Sequence, residues 1–166
     1  MKTKIFMRFL LLMGFMAGLL ASDGSLGAAP DFLLRNIDNK LVDTAKLRES
    51  GPIIINFWTT WCVPCRSEMT ALQKLYEKYT PQVSFIAVSM DDHKTVGKVR
   101  SYVKSRKFPF IVITDPDKEL AARFQASVVP TTVMVGSDGN ILYFHTSYKT
   151  GDEKKLETLI LQALGN

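Results

Sequence analysis

An almost uniformly apolar run, Pro52 to Trp58 (PIIINFW), places the strongest constraint on how this chain can fold. It contains three consecutive isoleucines and no alternation of apolar and polar residues, so it does not fit a strand with one solvent-exposed face. Such a run is typical of a central strand that is buried on both sides. The sequence therefore predicts a sheet that other elements cover on both faces.

The segments around this run alternate between predicted strands and predicted helices. Two short strands with a turn are expected in residues 31–42, and further strands in residues 83–89, 110–114, 131–135 and 141–145. Helices are expected in residues 63–79, 91–107, 118–124 and 152–164, with a brief helical turn in residues 46–51. We expect Asp91 and Asp92 to supply the N-terminal carboxylates of helix 91–107. This order predicts an α/β fold with a mixed central sheet and helices on both faces.

The first residues have the layout of a signal peptide. An uncharged run of 13 residues, 9–21, follows three basic residues, Lys2, Lys4 and Arg8. The run is shorter than the roughly 20 residues that span a bilayer as a helix. We assign residues 1–29 to a signal peptide, with cleavage after Ala21 or around Ala28 and Ala29, and residues 30–166 to one domain. The expected location is the periplasm, and an uncleaved membrane anchor is the alternative.

The net charge gives no indication of a nucleic-acid partner. The chain has 21 basic and 16 acidic residues, a formal charge of +5, but three of the basic residues and none of the acids precede Ser22. The remainder carries only +2, too little to predict nucleic-acid binding. We expect a monomer that needs no cofactor.

The two cysteines, Cys62 and Cys65, directly follow the buried strand and open the next helix. A disulfide between them closes a very short loop and would stabilise the fold little, so chemistry explains the pair better. The unpaired N–H groups and the dipole at a helix N-terminus favour a thiolate. Cys62 is therefore the predicted nucleophile, and Cys65 the thiol that resolves a mixed disulfide. Pro64 fits the first helical turn.

Two other interpretations of the cysteine pair stay open at this point. Cys62 and Cys65 could form half of a zinc site that His93 and His145 complete, although these histidines are 52 residues apart in separate elements. The pair could also be an inert disulfide, because short motifs often match by chance.

Two stretches resemble one branch of the thioredoxin-like proteins, the branch of TlpA, ResA and CcmG. The first is residues 56–69 (NFWTTWCVPCRSEM), and the second is residues 128–132 (VVPTT), which is similar to the cis-proline loop of that branch. The resemblance covers nearly the whole chain after the leader. It implies that residues 30–166 form one thioredoxin-like domain, a three-layer sandwich with an N-terminal β-hairpin and a central αβ insertion at residues 91–114.

The resemblance also implies roles for particular residues. Cys62 would be the exposed attacking thiol, and the Val129–Pro130 bond would be cis beside the pair. The backbone of Val129 could then pair with a substrate strand. Trp61 would lie on the surface beside the disulfide, where it contacts substrate. Trp58 is expected in the core because it lies within the buried strand. The predicted substrate-binding residues are Trp61, Val63, Pro64, Val129 and Pro130. A proline that merely starts a strand is the alternative for Pro130.

Glu68 is the third predicted catalytic residue. It lies three residues beyond Cys65 and on the same side of the helix. In ResA-like proteins a carboxylate at this place helps to set thiol acidity and proton movement, whereas an ordinary solvated glutamate is the alternative. Classical thioredoxins have a buried aspartate where this chain has Asn56. Because an amide cannot take a proton from Cys65, any general base for that thiol would be Glu68 or water.

These features predict an exported thiol-disulfide oxidoreductase that reduces or isomerises disulfides in extracytoplasmic proteins. Apocytochrome c is a candidate substrate, because the resembled branch includes cytochrome-maturation factors. The expected partners are protein thiols and disulfides and a membrane electron donor of the thiol-disulfide relay type. The alternatives are a thiol peroxidase of the peroxiredoxin type and a redox-inactive module that binds peptides as a chaperone.

Overall fold

The computed structural model describes residues 26–165, so most of the predicted signal peptide lies outside the described residues. The strands are β1 (Leu33–Arg35), β2 (Leu41–Asp43), β3 (Ile53–Trp58), β4 (Ser84–Ser89), β5 (Ile111–Thr114), β6 (Thr131–Val135) and β7 (Ile141–Thr146). The helices are α1 (Thr44–Arg48), α2 (Val63–Tyr79), α3 (Val99–Arg106), α4 (Glu119–Arg123) and α5 (Asp152–Ala163). Within residues 26–165, no helix combines the length and the apolar character that crossing a membrane requires.

The main sheet has the strand order β5-β4-β3-β6-β7. Strands β3, β4 and β5 run parallel, whereas β6 is antiparallel to both β3 and β7. Strands β1 and β2 form a separate antiparallel hairpin. The predicted mixed sheet, terminal antiparallel pair and N-terminal hairpin are therefore confirmed, and α3 and β5 occupy the stretch assigned to the insertion.

Strand β3 is buried along its whole length, as its composition predicts. Ile54 and Trp58 belong to a core cluster with residues of α2, α3 and α5. Ile55 and Phe57 belong to a second cluster, with α4 and the hairpin, in which the rings of Phe57 and Phe124 lie 5.6 Å apart. Each such side chain contributes roughly 1.5–3 kcal/mol when it is removed from water. Helices therefore cover both faces, and β3 is held in place from both sides.

The start of the insertion differs from its prediction. A helix was expected from Asp91, but α3 begins only at Val99, after a single 3-10 turn at Val96–Lys98. Asp92 does act as a cap for the chain that follows, because its Oδ1 accepts hydrogen bonds from the N–H groups of Lys94 and Thr95. The prediction for Asp91 is wrong. Its carboxylate is fully buried and binds donors in the loop that precedes Cys62.

The residues just before the hairpin belong to the hydrogen-bonded fold. Ala28 forms an isolated β-bridge with Asn140, and the N–H of Leu26 donates to the carbonyl of Ile141 at 2.9 Å. The N–H of Ala29 donates to the carbonyl of Gly139 at 2.9 Å. Residues 26–29 therefore pair with the turn between β6 and β7, on the leader side of the predicted boundary at residue 29.

Candidate active site

The cysteine pair lies at the N-terminus of α2, directly after the short loop that follows β3. Cys62 is the N-cap residue of α2, and it is disulfide-bonded to Cys65 with the two Cα atoms 5.3 Å apart. The Sγ atom of Cys62 accepts a hydrogen bond from the backbone N–H of Cys65 at 3.2 Å. An N–H group that points at the sulfur stabilises negative charge there once the disulfide is reduced. The local structure therefore favours a thiolate at position 62.

The disulfide itself is poorly accessible. Cys62 is 4% exposed and Cys65 is 1% exposed, so the expectation of an exposed Cys62 is wrong for the disulfide form. Both cysteines belong to the core cluster that includes residues of α2. Cys62 is nevertheless the more accessible of the two, as expected for the sulfur that a partner would reach first.

An apolar surface lies beside the disulfide. Trp61, Val63 and Val128 are large apolar residues with 62%, 68% and 51% of their surface exposed. By contrast, Trp58 is buried and packs against the ring of Tyr102 at 5.5 Å between centroids, as predicted. We call Trp61, Val63 and Val128, together with the backbone of Val129, the docking surface.

The proline loop lies at the same edge of the sheet as the cysteines. The Val129–Pro130 bond is cis. Thr131, the first residue of β6, pairs with Phe57 near the end of β3, so Val129 lies beyond that end. The Pro130 carbonyl accepts a hydrogen bond from the N–H of Ser147. Within residues 26–165 the backbone N–H and C=O of Val129 make no hydrogen bond, and both groups are free to pair with another strand.

Glu68 is buried between α2 and the sheet, with only 5% of its surface exposed. Its Oε2 accepts a hydrogen bond from the side-chain amide of Asn56, and its Oε1 accepts one from the hydroxyl of Thr132, each at 2.8 Å. Burial raises the pKa of Glu68 to about 7, although both hydrogen bonds oppose this shift. The alternative of an ordinary solvated glutamate is therefore wrong.

Asn56 joins the two partners of Glu68. Its Nδ2 also donates to the hydroxyl oxygen of Thr132 at 2.8 Å, whereas its Oδ1 has no partner among the described residues. An amide carries both donors and an acceptor, so it can bind an ionised carboxylate or, after a flip, a protonated one. An aspartate here would instead face a second carboxylate at hydrogen-bond distance. Asn56 thus suits a neighbour that changes its protonation state.

Asp91 anchors the loop that leads into Cys62. Its Oδ2 accepts hydrogen bonds from the backbone N–H of Thr60 at 2.9 Å and from the hydroxyl of Ser89 at 2.8 Å. Its Oδ1 accepts a hydrogen bond from the hydroxyl of Thr60 at 2.6 Å. Because Trp61 follows Thr60 directly, the residues after β4 help to position Trp61.

The side chains considered for a zinc site have other partners. Cys62 and Cys65 are bonded to each other, His93 contacts Asp117 at 2.8 Å, and His145 contacts Asp152 at 3.2 Å. In the part of the chain that the structure describes, no group of three or more His, Cys, Asp and Glu side chains is arranged to hold a metal ion. In this structure Cys62 and Cys65 are therefore partners of each other rather than of the two histidines.

Sequence reasoning missed two contributors to this site, Thr132 and Asp91. Thr132 belongs to the motif of residues 128–132, which contains Pro130, but the sequence did not indicate a separate role for it. The signal for Asp91 was its place directly after a buried strand, at the edge where parallel strands end. The local preference for aspartate at a helix N-terminus led instead to the prediction that Asp91 caps a helix.

Comparison with known proteins gives consistent matches. Residues 25–160 match the family model described as Redoxin. Thiol-disulfide oxidoreductase ResA from Bacillus subtilis is 30% identical over 130 residues, which make up 78% of this chain and 70% of ResA. The match to ResA from Bacillus cereus, also 30% identical, spans 65% of the length of that relative.

Solved structures agree with the fold. A candidate thiol:disulfide interchange protein DsbE from Chlorobium tepidum has a TM-score of 0.77 and 25% identity, covering 85% of this chain and 98% of that one. A candidate thioredoxin from Neisseria meningitidis has a TM-score of 0.74 and 33% identity, covering 84% and 91%. These matches confirm the thioredoxin-like fold and the resemblance to the ResA branch.

We expect Asp91→Ala to lower the free energy of unfolding by roughly 2–4 kcal/mol, because it leaves the donors of Thr60 and Ser89 without their acceptor. The neighbouring Asp92→Ala removes only an exposed cap and should cost about 1 kcal/mol. Urea denaturation of both oxidised variants measures the difference. Equal losses would show that Asp91 does not anchor the loop.

Glu68 should make stability depend on pH. Its folded-state pKa of about 7 exceeds its ordinary value of 4.5, so the folded chain holds the proton more tightly than the unfolded chain. The resulting stability is complete below pH 4.5 and is lost as the pH rises through 7, a change of about 3 kcal/mol. Glu68→Gln should therefore gain about that much relative to the natural protein between pH 4.5 and pH 8. Urea denaturation across this range tests it, and a gap that stays constant with pH would contradict it.

Proposed function

The chain belongs to the Redoxin family and, within it, to the thiol-disulfide oxidoreductases of the ResA type, and we propose that it reduces or isomerises disulfide bonds in exported proteins through Cys62 and Cys65. One observation carries this proposal. A disulfide whose first sulfur accepts a hydrogen bond from a helix N-terminal N–H lies beside exposed apolar side chains and near Val129, whose backbone makes no hydrogen bond among the described residues. Such a site combines a stabilised thiolate with a place for a polypeptide.

The proposed reaction starts from the dithiol. The Cys62 thiolate attacks one sulfur of a substrate disulfide, so that a Cys62–substrate S–S bond forms and the other substrate sulfur leaves as a thiolate, which takes a proton from solvent. The Cys65 thiol then loses its proton and attacks Cys62. The Cys62–Cys65 bond forms, and the second substrate sulfur leaves. Two electrons have passed from the enzyme to the substrate, and the enzyme is left as the disulfide described above.

Glu68 is the proposed acceptor of the Cys65 proton. It lies on the same side of α2, one turn beyond Cys65, and its pKa of about 7 lets it take and release a proton near neutral pH. Asn56 and Thr132 hold both carboxyl oxygens, so the group is positioned before the reaction begins.

The docking surface is the proposed binding site for an extended substrate segment. Trp61 and Val63 offer apolar contacts next to Cys62. The N–H and C=O of Val129, which make no hydrogen bond within residues 26–165, offer strand pairing. Pro64 is exposed at the start of α2, and Pro130 holds the loop that carries Val129. Backbone pairing depends little on sequence, which suits an enzyme that acts on several proteins.

The cellular setting is part of the proposal. The leader predicts export to the periplasm, where apocytochrome c is one candidate substrate and a membrane thiol-disulfide relay the candidate electron donor. The pairing of residues 26–29 with the turn between β6 and β7 favours cleavage after Ala21 over cleavage around Ala28, because the second cut would remove these hydrogen bonds. We propose a monomer as the working form.

Trapping tests the assigned roles of the two cysteines. In Cys65→Ser the resolving thiol is absent, so exported proteins should accumulate as mixed disulfides on Cys62. Non-reducing gels followed by mass spectrometry of the captured proteins give the measurement, and Cys62→Ser is the matched control that should capture nothing. Equal capture by both variants, or full activity of Cys62→Ser, would contradict the mechanism and favour a redox-inactive binding module.

A redox titration tests the direction of electron flow. Strong oxidants owe their potential to a highly stabilised reduced form, and the carboxylate of Glu68 near the pair counteracts such stabilisation. We therefore expect a midpoint potential more negative than about −180 mV, which is typical of protein disulfide isomerase. Equilibration with glutathione buffers measures it. A potential near about −120 mV, typical of a strong oxidant, would overturn the assignment as a reductant.

A further inference from the structure

Glu68 faces a small cavity on the side away from Asn56. The cavity has a volume of about 10 Å³, close to the room that one water molecule needs. Its walls come from α2, β6, β7 and α5. Its polar and titratable wall groups, besides Glu68 itself, are Thr132, Tyr143, Tyr148, Asp152 and Glu153.

A larger groove lies outside this cavity, between α2 and the start of α5. Its volume is about 480 Å³, and Lys74, Lys78 and Glu157 line it together with the loop that precedes α5. Three residues, Ala71, Tyr148 and Glu153, line both the groove and the inner cavity. These residues therefore form the thin wall between Glu68 and open solvent.

The polar side chains of this wall can carry a proton. The hydroxyl of Tyr148 donates to Oε2 of Glu153 at 2.8 Å, and the N–H of Gly151 donates to the same oxygen at 2.8 Å. Burial opposes ionisation of Glu153, but these hydrogen bonds hold its pKa below the ordinary value. An ionised carboxylate next to the cavity can accept a proton from a water molecule inside it and release it to the groove.

The neighbouring charges set how tightly each group on this route binds a proton. Asp152 accepts hydrogen bonds from the N–H of Lys149 and contacts His145, so its pKa is lowered as well. Its negative charge also adds to the raised pKa of Glu68. Glu68 thus binds a proton more tightly than the outer carboxylates, so Glu153 holds the proton only briefly and releases it to solvent in the groove.

The route does not cross the docking surface. Trp61, Val63, Val128 and Val129 line neither the cavity nor the groove. A substrate bound over the disulfide would therefore leave the gap between α2 and α5 open.

We propose that Glu68 exchanges its proton with solvent sideways, through the gap between α2 and α5, with Tyr148 and Glu153 as the groups that pass it on. This inference rests on the proposed function. When Cys65 attacks the mixed disulfide, its proton moves to Glu68, the Cys62–Cys65 bond forms, and the substrate sulfur leaves with the electron pair of the broken bond. The proton on Glu68 then moves by the cavity water to the hydroxyl oxygen of Tyr148, whose own proton passes to Glu153 and from there to solvent. Glu68 is then ionised for the next cycle.

The test follows the resolving step in Glu153→Gln and Tyr148→Phe. The reduced enzyme is mixed with a small peptide disulfide, quenched with acid at intervals, and analysed by mass spectrometry for the mixed disulfide on Cys62. We expect its decay to be slowed about three- to tenfold in both variants and to recover as imidazole buffer is added, because a small base replaces the missing relay. Glu157→Gln is the matched control, since Glu157 lines the groove but not the cavity.

A second set of variants, made in the Glu68→Gln protein, distinguishes a failure of the proposed proton route from a failure of the proposed oxidoreductase function. Glu68→Gln should slow the same decay at least as much, and adding Glu153→Gln to it should change nothing further. If Glu153→Gln and Tyr148→Phe both behave like Glu157→Gln while Glu68→Gln is slow, the route is wrong and the proton role of Glu68 stands. If Glu68→Gln is as fast as the natural protein, the route is also overturned, whereas capture by Cys65→Ser still reports on the oxidoreductase function.

Discussion

The double-sided burial of β3 is the constraint from which the rest of the structure follows. Because apolar side chains leave this strand in both directions, helices have to cover both faces, and the strand cannot shift without exposing one of the two clusters. Its end is therefore a fixed point. The loop from Thr59 to Cys62 starts at that point. The position of the disulfide at the N-terminus of α2 therefore depends on where β3 ends.

Two polar side chains, Asn56 and Glu68, lie inside the largely apolar core around β3. Asn56 is the one polar side chain in β3, and it faces Glu68 rather than an apolar partner. A buried carboxyl group costs stability when it is ionised, and the two hydrogen bonds offset only part of that cost. The fold retains a group that works against its own stability at neutral pH, as is common at sites where protons move.

Much of this fold and site could be predicted from the sequence. Helix α2 and strand β6 have their predicted bounds, because periodicity and the flanking prolines are strong local signals. The disulfide pair was also predictable from its position after a buried strand. The hydrogen-bond partners of Asp91 and the burial of Glu68 could not be predicted, because both depend on which elements pack together in the folded chain. Asp91 accepts hydrogen bonds from Thr60, which lies in another loop, and Glu68 lies under α5, which is more than 80 residues away along the chain.

The bond between Asp91 and Thr60 links two segments that have different tasks. Asp91 begins the insertion that carries α3 and β5, and Thr60 begins the turn that presents Trp61. A change in the length or packing of the insertion would therefore be transmitted to the indole beside the disulfide without altering either cysteine. Under the proposed function, the insertion therefore has a mechanical connection to the side chain that would contact a substrate, while it contributes neither of the two sulfurs.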